Sequence, residues 1–167
     1  MIDEINLEIL NILQENARIT NADIARRLGM APSAILERMR KLETAGFIQN
    51  YETRLNGQAL GLELTAFIFV RLADPRDEKG AGRLLAGFSE VQEVHYVAGE
   101  DCLLVKVRVP NTQCLFRLLK EKIAFIPSVT TTRTTVVLET VKESAVLPLE
   151  LIGQERSQPE EQEFPNV

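Results

Sequence analysis

Gly29 and Pro32 divide one amphipathic stretch into a short helix, a turn and a second helix. Thr20 or Asn21 can cap the first helix, because a side-chain oxygen accepts an orphan backbone N–H. Ala22 to Leu28 follow, with Ile24, Ala25 and Leu28 on one face. Gly29 suits a helix end that needs positive φ. Pro32 suits a first helical turn, where its missing N–H costs nothing. Ile35, Met39 and Leu42 then recur at helical spacing and give the second helix a core stripe. Opposite that stripe lie Ser33, Ala34, Glu37, Arg40 and Lys41, with Arg38 on the flank. Gly46 ends the helix. Upstream, Ile5, Ile9, Leu10, Ile12 and Leu13 predict another helix, starting near Asp3. Three helices can enclose a small core.

This is the pattern of a DNA-reading helix-turn-helix, whose second helix fits the major groove of B-DNA. On that reading Ser33, Ala34, Glu37, Arg38, Arg40 and Lys41 face DNA. Arg38 is the best phosphate anchor, and Arg26 and Arg27 are second-rank contacts. A three-helix module for protein contacts fits the same pattern, with these charges forming a solvated face.

The net charge of −5 runs against a nucleic-acid partner until it is located. Residues 139–167 hold seven acids and two bases, and removing them from 24 acids and 19 bases leaves 17 of each. The body is neutral, so attraction to DNA must come from a local patch. Exposed charges are screened within about 8 Å at physiological salt, so a distant acidic tail need not block binding. No apolar run is long enough to span a bilayer, and Met-Ile-Asp-Glu lacks the regions of a signal peptide. Cys102 and Cys114 are too few for a disulfide scaffold or metal site and read as small apolar residues. The cytoplasm is the expected compartment. His95, the only histidine, has no nucleophile or metal partner in view and reads as a polar strand residue. No serine elbow, phosphate loop or metal-ligand cluster occurs, so neither enzyme activity nor a cofactor is expected.

From Leu64 the periodicity changes. Leu64–Ala73, Val91–Ala98, Cys102–Val109 and Val129–Leu138 read as strands. Residues 77–88 read as a weak helix with three glycines, and the stretch after Pro110-Asn111, carrying Leu115, Leu118, Leu119 and Ile123, reads as a second helix. The order βαββαβ is a ferredoxin-like split unit, and the fold class is α+β. Its helices cover one sheet face. Phe67, Phe69 and Leu104 point to the other face, which should be polar if solvated. They imply a dimer interface there, and a cover by residues 141–152 of the same chain is the alternative. The expected domains are 1–48 helical, 49–63 extended arm, 64–140 ferredoxin-like and 141–167 an acidic extension, disordered at its end.

The whole pattern resembles the Lrp/AsnC family of leucine-responsive, feast/famine regulators over roughly residues 1–140. The resemblance rests on Ile2-Asp3-Glu4-Ile5-Asn6-Leu7-Glu8-Ile9-Leu10, on Ile24-Ala25-Arg26-Arg27-Leu28-Gly29 and on Arg38-Met39-Arg40-Lys41-Leu42-Glu43. Gly46-Phe47-Ile48 with Tyr51, Val97-Ala98-Gly99, and Thr132-Arg133-Thr134-Thr135-Val136-Val137-Leu138 extend it. It implies a winged or arm-extended helix-turn-helix joined to a domain that dimerises through its sheets and senses amino acids. It also implies dimers that assemble further, often into octamers. Such a protein is a sequence-specific transcription factor whose affinity or assembly shifts with a small metabolite. A dimer spaces its reading helices about 34 Å apart or a multiple of it, so the operator is palindromic.

For the effector, the turn Gly99-Glu100-Asp101 offers N–H groups to a carboxylate and an acid to an ammonium, with Thr132 and Thr134 adding hydroxyls. An ordinary hairpin turn, with threonines chosen for β propensity, fits equally. Three departures from the family pattern stand out, one of them the turn Gly99-Glu100-Asp101-Cys102, which is shorter than the frequent form in which an aromatic precedes the aspartate. Asn6 replaces an acid in the opening phrase, and Ala31 stands where a serine usually caps the reading helix. The competing function is a small-molecule-sensing ferredoxin-like module whose helices contact protein rather than DNA.

Overall fold

The computed structural model describes residues 2–74, 80–99 and 102–154, and the chain divides into two units. Unit one is Met1–Arg54 with Ser144–Val167, and unit two is Leu55–Glu143.

In the first unit α1 (Glu4–Glu15), α2 (Asn21–Leu28) and α3 (Pro32–Thr44) enclose the fully buried Ile9, Ile24 and Ile35. Met39, Leu42, Leu13 and Ala25 complete that core. Each helix starts where its sequence stops it from starting earlier. Asp3 caps α1, its carboxylate accepting the Asn6 N–H at 2.7 Å. Thr20 caps α2, accepting the Asp23 N–H at 3.1 Å and donating to the Asp23 carboxylate at 2.6 Å. That hydroxyl is the main reason the Asp23 carboxyl titrates below its usual range. Gly29 closes α2 at φ +64°, a left-handed conformation, and the Met30 N–H reaches back to the Ala25 carbonyl at 2.9 Å. α3 starts from Ala31 without a side-chain cap. Residues 48–56 form neither helix nor strand, so no wing hairpin follows α3. Tyr51 donates its hydroxyl to Glu43 on α3 at 2.9 Å.

The first unit is completed from the far end of the chain. The Gln14 side-chain amide makes a reciprocal pair with the Leu147 backbone, donating to its carbonyl at 3.2 Å and accepting its N–H at 2.6 Å. Leu149 is buried beyond it, and α6 (Leu151–Gln154) follows. Residues from Ser144 thus belong with the helices rather than with the sheet. Val141, Val146, Leu147 and Leu151 stay exposed.

The second unit is a four-stranded antiparallel sheet, ordered β2-β3-β1-β4. Its strands are β1 (Leu64–Leu72), β2 (Val91–Tyr96), β3 (Leu103–Val109) and β4 (Val129–Val136). One face buries Ala66, Ile68, Val70, Leu103, Val105, Val107 and Val109. Against it pack Ala81 and Leu85 of α4 (Ala81–Ala86) and Leu115 of α5 (Thr112–Arg117). Asn111 caps α5, which runs on through a π turn, Leu118–Lys122, and a 3-10 turn, Ile123–Phe125. α4 is shorter than the predicted 77–88: it starts after Gly80 and stops at Gly87, and residues 75–79 lie outside the described set. A Cβ at Gly82 would come 2.5 Å from the hydroxyl of the exposed Tyr96, whose ring would have to swing aside. Cys102 and Cys114 are free, half-buried thiols at the edge of this core.

Candidate nucleic-acid interface and effector region

α3 carries its buried stripe, Ile35, Met39 and Leu42, on one side, which forces the residues between them outward. Ser33, Glu37, Arg40 and Lys41 are exposed, and Ala34 is half-buried. Lys41 and Glu37 pair across one helical turn at 2.7 Å. The Lys41 hydrogen bond holds the Glu37 carboxyl below its usual range. Such exposed pairs are weak, so either partner can exchange for a ligand group. Among the described residues none pairs with Arg40. On α2, Arg26 pairs with Asp23 at 3.0 Å, and Arg27 lies 3.9 Å from Glu15.

Arg38 sits differently. One guanidinium nitrogen donates to Asp3 at 2.6 Å and to Asn6 at 2.9 Å, and its side chain is 28% exposed. The Asp3 carboxylate therefore caps α1 with one oxygen and holds α3 with the other. Its pKa is lowered chiefly by the Arg38 hydrogen bond and next by the Asn6 N–H. That Arg38 nitrogen is engaged within the protein, on the residues that open α1. Asn6, the departure from the family's opening acid, is part of the grip.

One exposed side chain on α3 escaped the sequence reading. Leu36 is 40% exposed, beside the polar row. Its signal was available: it falls outside the spacing of Ile35, Met39 and Leu42, so it could not join their stripe.

The expected effector residues do not converge within one chain. Gly99 adopts φ +140°, while Glu100 and Asp101 lie outside the described residues. Thr132, exposed, and Thr134, half-buried, belong to β4, one edge of the sheet, whereas the β2–β3 turn lies at the other. Tyr96, Leu103, Val70 and Thr132 form one cross-sheet row. Thr132 is level with the turn but three strand spacings away, about 14 Å.

Phe67, Phe69 and Leu104 are half-buried on the sheet face away from the helices, amid charge. One row across that face reads Glu93, Lys106, Phe67, Thr135, and the next His95, Leu104, Phe69, Arg133. Lys106 bonds to Glu93 at 2.9 Å and also to Glu143. Arg133 stacks on the Phe69 ring at 4.1 Å. The face is a checkerboard rather than an oily plate.

Among known proteins, residues 2–49 match the family model described as winged helix-turn-helix DNA-binding. Residues 65–147 match that of the Lrp/AsnC ligand binding domain. The leucine-responsive regulatory protein of Escherichia coli K12 is 39% identical over 150 residues, 86% of this chain and 88% of that protein. The structure of E. coli AsnC superposes with a TM-score of 0.82 at 29% identity, covering 87% of this chain and 98% of that one. A transcriptional regulator from Neisseria meningitidis, solved as its L-Met complex, gives a TM-score of 0.84 at 26% identity over 91% of this chain and 99% of its own.

Proposed function

The chain belongs to the Lrp/AsnC family of transcriptional regulators, and on that premise we propose that α3 reads an operator in the major groove while the ferredoxin-like domain binds an amino-acid effector. The carrying observation is the outward row Ser33, Glu37, Arg40 and Lys41, held exposed by the buried stripe behind it. Arg40 has no described partner to give up and takes a guanine edge. Glu37 accepts from a cytosine amino group, and Lys41 meets phosphate. Ser33 and Ala34 sit in the first turn, where a backbone approach to DNA is closest. Arg26 and Arg27 flank the groove from α2. Arg38 acts as a positioning residue that fixes the angle of α3 on α1. The phosphate-anchor role that its sequence position suggests passes to Lys41.

The Neisseria relative binds L-methionine, which supports an amino acid as effector class. We assign the turn at Gly99, Glu100 and Asp101 to the ammonium and carboxylate, and Thr132 and Thr134 to the opposite wall. Because those threonines and that turn lie on opposite sheet edges, a complete pocket needs a second copy of the chain. The Phe67, Phe69 and Leu104 face, on the other side of the sheet from Thr132 and Thr134, is a separate contact between copies. The protein then works as a dimer or higher assembly on a palindromic site, in the cytoplasm. Effector binding shifts DNA affinity only insofar as the ligand prefers one assembly.

Selection of genomic fragments by the full chain at two salt concentrations tests the DNA reading. Enrichment of a palindrome, with affinity falling steeply as salt rises, is expected. Enrichment of nothing, or salt-independent capture, overturns it. Thermal-shift screening of the twenty amino acids tests the effector reading, because a ligand bound only by the native state raises its midpoint.

A further inference from the structure

Leu36 is the one large apolar side chain left exposed anywhere from residue 2 to residue 46. It follows Ser33 by three residues and precedes Arg40 by four, so the three form a row along α3. The core stripe has no place for it. A single leucine also offers far less than the roughly 800 Å² per partner that a specific protein interface buries. Along the floor of the major groove, however, one base carries an apolar group of matching size, the C5-methyl of thymine.

We propose that Leu36 reads a thymine methyl, and that the operator carries a T·A pair within about two base pairs of the pair contacted by Arg40. The spacing follows from the helix: four residues rise about 6 Å, close to two base-pair steps of about 3.4 Å. Polar contacts and this apolar one divide the work. Arg40 and Glu37 fix G·C pairs, and Leu36 distinguishes thymine from cytosine, which presents an amino group and no methyl. This inference rests on the DNA-reading role proposed for α3.

The test uses operators selected by the full chain from random duplexes and resynthesised with uracil for thymine, one position at a time. Uracil keeps the base pair and lacks only the methyl. We expect one position per half-site to cost the wild-type protein about three- to tenfold in affinity, the worth of one buried methyl contact. The same uracil should cost Leu36→Ala nothing. Leu36→Ala should keep the wild-type thermal midpoint, and if it does not, Leu36→Gln takes its place; a uracil that costs wild type and variant alike is read by another residue and overturns the inference. If every uracil is neutral while binding stays sequence-specific and salt-dependent, Leu36 reads nothing and the inference falls while the DNA reading stands. If no operator is enriched at all, the DNA reading fails first and takes this inference with it.

Discussion

Asp3 and Arg38 illustrate how far a residue's work can lie from what its neighbours in sequence suggest. Arg38 sits among exposed polar residues and reads as one more groove contact. Its partner is 35 residues earlier, and no local pattern announces a pair made only when α1 and α3 pack. The pair has a pH signature. The Asp3 carboxyl is held below its usual value in the folded protein, so its contribution is present above the unfolded pKa and is lost as pH falls through the lowered one. Asp3→Asn should therefore lower the thermal midpoint at pH 7, and the gap to wild type should narrow as pH falls below the ordinary carboxylate range and close only once pH has passed beneath the lowered value of the folded Asp3. An undiminished gap at acid pH would assign the loss to the cap geometry instead. Leu36 is easily passed over for the opposite reason. A search for DNA contacts that looks only for charge misses the apolar reader beside it.

Turns and caps were the most legible elements, because their chemistry is local. Asp3, Thr20, Gly29 and Asn111 each stand where an unpaired backbone group or a positive φ calls for that residue type. A Cβ added at Gly29 would meet no atom within 4 Å, so the cost of replacing this glycine is conformational alone. Gly29→Ala should destabilise the first unit by about 1–2 kcal/mol in denaturant titration, and Gly29→Asn by less, since Asn tolerates the left-handed region. The start of α3 points the other way. Ala31→Ser supplies the missing cap oxygen and should add about 0.5–2 kcal/mol. No change in the denaturation midpoint would mean that the first turn already satisfies its N–H groups. α4 was less legible: its glycines weaken the helix, and Tyr96 on β2, the neighbour of Gly82, is visible only in three dimensions.

Across the whole molecule, βαββαβ order was readable from periodicity, yet what the sheet brings together was not. Thr132 and Gly99 look like parts of one site in a linear reading, and the strand order puts them on opposite edges. Alternation exposed Phe67 and Phe69 but not the Lys106 and Arg133 groups interleaved with them. If that face joins two copies, Phe67→Asp should shift sedimentation from the assembly to the single chain while leaving far-UV circular dichroism unchanged. It should also weaken operator binding by the loss of one half-site. An unaltered sedimentation coefficient would place the contact between copies elsewhere.

The reciprocal bond between Gln14 and the Leu147 backbone spans 133 residues. A ribosome delivers the three helices first and the strap that completes them last, after every strand of the sheet has been made. The helices of a nascent chain therefore lack this bond until every strand of the sheet has been made.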